Sequence, residues 1–165
     1  MENQQTLSAI CTECGLCCDG SLFPKAHVID EEDQATAQRL GLTTFEESGK
    51  RYFKLPCPCF DQLCTVYDVK RPHICKAFFC EPLKKANKGD ISLEEATKKI
   101  KLAIQLRSEV KVLASQHETL KNLSVHEINA YFKNEGVTYI KQFPVLFMKS
   151  SALLIALASL RKKKE

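Results

Sequence analysis

The chain has no Gly-rich phosphate loop, no dinucleotide fingerprint and no readable Ser/His/Asp order, so neither a phosphate cradle nor a hydrolase triad can be assigned. It has no long hydrophobic run either. The most apolar stretch, Ser151-Ala-Leu-Leu-Ile-Ala-Leu-Ala-Ser-Leu160, covers ten residues, and Lys149 and Pro144 spoil any extension toward a bilayer span. A buried C-terminal helix is expected there, ahead of the basic run Arg161-Lys-Lys-Lys164, and no membrane partner. Met1-Glu-Asn-Gln-Gln-Thr6 lacks the basic and apolar regions of a signal peptide, so a cytoplasmic location with reduced thiols is expected. Internal repeats and low-complexity segments are absent, and residues 81–165 hold no cysteine.

What is present is concentrated. All nine cysteines fall within residues 1–80, in two batches. The first is Cys11-Thr-Glu-Cys14-Gly-Leu-Cys17-Cys18, and the second is Cys57-Pro-Cys59-Phe-Asp-Gln-Leu-Cys64 followed by Cys75 and Cys80. Four cysteines in eight residues are too dense for packing alone. Thiolates at two-residue spacing can close on one metal ion when a tight turn points both sulfurs inward. In a reducing compartment, clustered thiols favour metal over disulfides, and the odd count argues the same way.

Charge is divided unevenly. Residues 1–80 carry eight Lys/Arg and eleven Asp/Glu, while residues 81–165 carry sixteen and nine. The basic half could meet an acidic partner, nucleic acid included, but a solvated helical face explains its lysines more simply, so a protein partner is the expectation ahead of nucleic acid.

The pattern predicts an α+β fold: a small cysteine-rich, metal-stapled head of short strands and helices over residues 1–82, then a helical C-terminal region, 90–165, packed on it. Residues 1–10 read as a frayed or weakly helical lead-in. Asp30 caps a helix that runs to about Leu40. Thr44-Phe-Glu-Glu47 has the capping-box pattern of a short second helix. Residues 51–55 read as a strand that Pro56 ends. A hairpin follows, with its turn at Asp61-Gln62 and a returning strand over 63–67. Residues 82–89 read as a lysine-rich linker. Ser92 opens a long amphipathic helix with apolar positions at Ala96, Ile100, Ala103, Ile104, Leu106, Val110 and Leu113, and Ser124 opens another that ends before Gly136. Six of the nine phenylalanines lie in the head, and Phe78 and Phe79 are expected to roof the cysteines.

Several arrangements satisfy these sulfurs. Two four-cysteine zinc sites take eight thiolates and leave Cys57 or Cys59 spare. A 4Fe–4S or 2Fe–2S cluster takes four and would bring redox chemistry. The bacterial ferredoxin run is not matched, because Cys17 and Cys18 are adjacent and Asp19 follows. Side chains of adjacent cysteines diverge, so the two batches are expected to interleave around neighbouring sites or a bridged one. Zinc is expected ahead of iron or an iron–sulfur cluster. His73 reads as a solvent-facing residue or an outer donor ahead of a ligand. Tyr67 reads as an aromatic packing residue and Arg71 as a charge balancing thiolates. His27, His117 and His126 read as ordinary residues.

Cys11-x2-Cys14-Gly-x-Cys17-Cys18, Leu55-Pro-Cys57-Pro and Cys64-Thr-Val-Tyr67-x3-Arg71-Pro72-x2-Cys75 together resemble the CxxCxxCC cysteine-cluster family, of the YkgJ type, over residues 8–80. The resemblance implies a zinc- or iron-chelating domain, in a family that includes a flagellin lysine N-methylase branch. It implies that Cys11, Cys14, Cys17, Cys18, Cys57, Cys64, Cys75 and Cys80 bind metal. Cys59 stands where the family usually has an apolar residue and is the expected spare thiol. Lys76 replaces a common Arg, which weakens any anion-binding role there. The leading expectation is a metal-binding cysteine-cluster protein. One alternative is a protein-modifying enzyme of the lysine N-methylase kind or an iron–sulfur redox protein. The other is a zinc-stapled interaction module whose basic helices bind an acidic partner or nucleic acid.

Overall fold

The computed structural model describes residues 2–161. Lys162, Lys163 and Lys164 of the C-terminal basic run lie outside the described residues. The architecture is α+β, and the chain divides into two units, Met1–Phe79 and Cys80–Glu165.

The first unit opens with helix α1, Glu2–Cys14, where a weak lead-in was expected. Glu, Gln, Leu and Ala are good helix formers, and burial of Leu7 anchors the segment. Strand β1 (Lys25–Val28) leads to α2 (Glu31–Arg39), whose first turn carries three acids. The Asp30 carboxylate accepts the Asp33 N–H at 2.8 Å and caps that helix. Residues 44–47 are not the expected short helix but strand β2 (Thr44–Glu47), paired with β3 (Lys50–Lys54). The capping-box pattern has no room to propagate. Ser48 and Gly49 follow at once, both at positive φ (51° and 71°), and they form the two-residue turn that suits a hairpin.

The sheet order is β1-β3-β2, antiparallel throughout. Val28 and Phe53 enter a buried cluster with Ala37 of α2 and Leu42, against which Cys57 and Ile74 pack. The core of the first unit thus ends at the cysteine-bearing loops. Next comes a minimal hairpin, β4 (Phe60–Asp61) and β5 (Leu63–Cys64), turned at Gln62. The returning strand stops at Cys64 rather than at Tyr67, because the Tyr67 N–H turns back to the Cys64 carbonyl at 3.3 Å. Helix α3 (His73–Ala77) closes the unit.

The second unit is helical. The expected linker is helix α4 (Glu81–Lys88), with Pro82 in its first turn and Gly89 at its end. Pro82 and Leu83 are buried, which is what a linker would not do. Ser92 caps α5 (Leu93–Ser115), burying Ala96, Ile100, Ala103, Val110 and Ala114. Ser124 and Glu127 form the reciprocal capping box of α6 (Val125–Gln142), where the expected stop is a kink at Gly136. Helix α7 (Pro144–Leu160) starts at Pro144, which suits a first-turn position, and packs along α5. No helix among the described residues is long and apolar enough to cross a membrane. On α5, Lys98 and Lys99 pair with Glu94 and Glu95 one turn earlier, as on a solvated helical face.

Candidate metal centre

Three stretches of the first unit bring cysteines together. The first is the loop after α1. Gly15 adopts φ +66°, and the Phe60 ring of β4 occupies the space a side chain would need, so any other residue here would be strained and would have to displace the ring. The Asp19 N–H then donates to the Gly15 carbonyl (2.8 Å) and the Leu22 N–H to the Leu16 carbonyl (2.7 Å), with Leu16 and Leu22 buried. The second stretch follows β3. Here the Cys57 N–H donates to the Cys18 carbonyl at 2.6 Å, setting the second cysteine batch against the first. The third runs from Cys64 on β5 to Cys75 on α3.

Cys18, Cys57, Cys64 and Cys75 lie within mutual electrostatic reach. Burial pushes the Cys18 thiol up to about 12, and negative charge on Cys57, Cys64, Cys75 and Asp19 acts in the same direction. Burial also lifts Cys57 to about 11, against the pull of the Cys59 amide and with charge on Cys59 and Cys64 adding to the rise. The Cys75 residue is exposed, yet desolvation raises its thiol to about 12. Cys57, Cys64 and Asp33 add to that rise, and the Arg71 cation opposes it. Four thiolates here would repel one another, and those of Cys18, Cys57 and Cys75 would be poorly hydrated. A cation that displaces the protons relieves both costs.

Cys18, Cys57, Cys59, Cys64, Cys75 and Cys80 are free thiols. Among the described residues, no group of three or more His, Cys, Asp or Glu side chains stands ready to grip one ion. Neutral thiols have no attraction that would draw them inward. The donor set nonetheless fits zinc or iron, since both take soft sulfur ligands.

The remaining expected ligands are distributed as follows. Cys11 and Cys14 lie three residues apart on the last turns of α1, on one helical face, rather than in a tight turn. The helix continues through Cys14 because the first helix-ending residue is Gly15. Helix α1 packs against β5, the strand that carries Cys64. Cys17 is half-buried in the loop beside Cys18. Cys80 belongs to the second unit, at the N-cap of α4, and burial raises its thiol against the pull of the Leu83 amide and Lys84. Cys59 turns its thiol to the Leu40 carbonyl at 3.5 Å.

The side chains around the thiols have separate tasks. The Arg71 guanidinium stacks 3.9 Å above the Tyr67 ring and faces Cys75, so one residue packs and the other balances charge. Phe78, at the end of α3, meets Phe23 edge-to-face at 5.2 Å. His73 is exposed, and its backbone N–H donates to the Asp33 carboxylate at 2.6 Å. Asp33 has no place among the residues expected to matter. Its only sequence signal is that of an acid in a first helical turn, which the exposed Glu31 and Glu32 share.

A family model described as "CxxCxxCC: Putative zinc- or iron-chelating domain" matches residues 10–95, more than half of the chain. No curated protein and no solved structure matches it.

Proposed function

The chain belongs to the CxxCxxCC family, and from that premise we propose that Cys18, Cys57, Cys64 and Cys75 bind a metal ion as thiolates, zinc ahead of iron. The observation that carries this reading is the hydrogen bond from the Cys57 N–H to the Cys18 carbonyl, which brings the two batches side by side. Zinc supplies no redox chemistry, and a closed set of four thiolates makes it a structural staple. The chain's own residues do the rest. Arg71 offsets part of the negative charge at Cys75, and Tyr67 holds Arg71 in place. Cys11, Cys14 and Cys17 are the neighbouring donors for a second ion. Cys80 is left out of the first set, and Cys59, engaged with Leu40, is the spare thiol. A reducing compartment such as the cytoplasm suits this chemistry.

Metal content and a visible spectrum on anaerobically purified protein test the proposal. A colourless protein containing zinc supports it, and a brown one with iron and acid-labile sulfide moves the same thiols to a cluster. A reduced, folded protein that takes up neither metal sinks it. Cys75→Ser is expected to bind the metal far more weakly and Cys59→Ser to keep wild-type affinity. Because Cys18 and Cys75 hold their protons up to about 12 and Cys57 up to about 11, each must release one on binding. Metal affinity should therefore climb with pH throughout the range below those values.

A further inference from the structure

Asp33 is only 6% exposed. A buried carboxylate is costly unless its oxygens are hydrogen-bonded. Here Oδ2 accepts the Ile29 N–H at 3.2 Å, close along the chain. Oδ1 accepts the His73 N–H at 2.6 Å, forty residues away. His73 is the first residue of α3, and Pro72 before it provides no side-chain cap. The Cys75 N–H finds the Pro72 carbonyl at 2.9 Å, but the helix has no side-chain cap of its own, and its first N–H is taken up by a carboxylate from α2. Two further links fasten the same approach to α2: an Arg39 guanidinium N–H donates to the Lys70 carbonyl at 2.7 Å, and Lys70 pairs with Glu32. Those two are exposed, and only Asp33 is buried. Cys75 sits two residues beyond His73, within the first turn of the short helix that this bond starts.

Resting on the metal-binding reading above, we infer that Asp33 is a positioning residue that presents Cys75 to the other three thiolates without touching the ion. Its removal acts through Cys75, and that is what separates this role from general support of the fold.

The test is an anaerobic titration of the reduced full chain with cobalt(II), reading affinity and the intensity of the sulfur-to-cobalt charge-transfer band. Asp33→Ala is expected to weaken cobalt binding by about tenfold or more, the loss typical when an outer partner of a ligand is removed. It should also lower the band as Cys75→Ser does. In the Cys75→Ser background, Asp33→Ala should cost nothing further, since both changes remove the same interaction. A second, additive loss there, or no effect in the wild-type background, overturns the positioning role. If the alanine variant fails to fold, Asp33→Asn carries the same test. It keeps an oxygen for His73 but sets an amide NH₂ against the Ile29 N–H, so a smaller, equally non-additive loss is expected and an additive one refutes the idea. A wild-type chain with no band, or Cys18→Ser and Cys75→Ser variants that bind as wild type, overturns the metal reading and the positioning role together. Normal wild-type binding with an indifferent Asp33→Ala removes the positioning role alone.

Discussion

The two units solve the same problem with different means. In the first, no strand exceeds five residues, and the sheet's buried cluster is Val28, Ala37, Leu42 and Phe53. In the second, helices of 23, 18 and 17 residues share an apolar interior in which Ile100, Val110, Ile128, Leu153 and Leu157 are almost fully buried. A small core supplies little surplus over the entropy of ordering the chain, whereas long amphipathic helices bury enough to stand on packing. The difference assigns the cysteines a thermodynamic task. Where apolar burial is thin, thiolate–metal bonds can supply the missing folding energy.

That contrast can be broken most forcefully by taking the metal away. A strong chelator is expected to strip hydrogen-exchange protection from β1 to β5 and α3 while α5, α6 and α7 keep theirs. Equal loss in both units would mean that the second also depends on the metal.

The converse change is aimed at the helical unit. Leu153 is fully buried on α7, and Leu153→Ala is expected to cost about 2–5 kcal/mol in urea unfolding. Metal content should stay at the wild-type level, and a parallel loss of metal would show that the units are not separable.

The finest probe returns to the first unit. A methyl group at Gly15 would meet the Phe60 ring and would sit at positive φ, so Gly15→Ala is expected to destabilise by about 1–3 kcal/mol. That cost should appear together with weaker metal binding, because the change pries the end of α1 from the hairpin that carries Cys64. A stability loss with unchanged metal affinity would leave Gly15 a turn residue only.

Local signals in the chain were good guides wherever one residue's chemistry settled its own neighbourhood. Asp30, Ser92 and Ser124 announce helix starts because their side chains satisfy amides two or three residues ahead. The same logic misled at Thr44, where the pattern of a cap sits in a strand, because Ser48-Gly49 turns the chain before a helical turn can repeat. It also missed α4, although Pro82 and Gly89 bracket that helix in the usual order, since the lysines between them masked buried Leu83.

The sequence alone determined that this chain carries a dense set of thiols at metal-binding spacing, that they cluster in its first half, and that the second half is helical. Those properties follow from residue type and short-range periodicity. Which cysteine-bearing stretches lie side by side was decided by the tertiary structure. The Cys57 backbone meets that of Cys18 through a hydrogen bond, and the N–H of His73, two residues before Cys75, is held by a carboxylate forty residues earlier. Such links depend on where the sheet and α2 place the loops, and loop closure over tens of residues costs too little free energy to leave a mark on the local pattern.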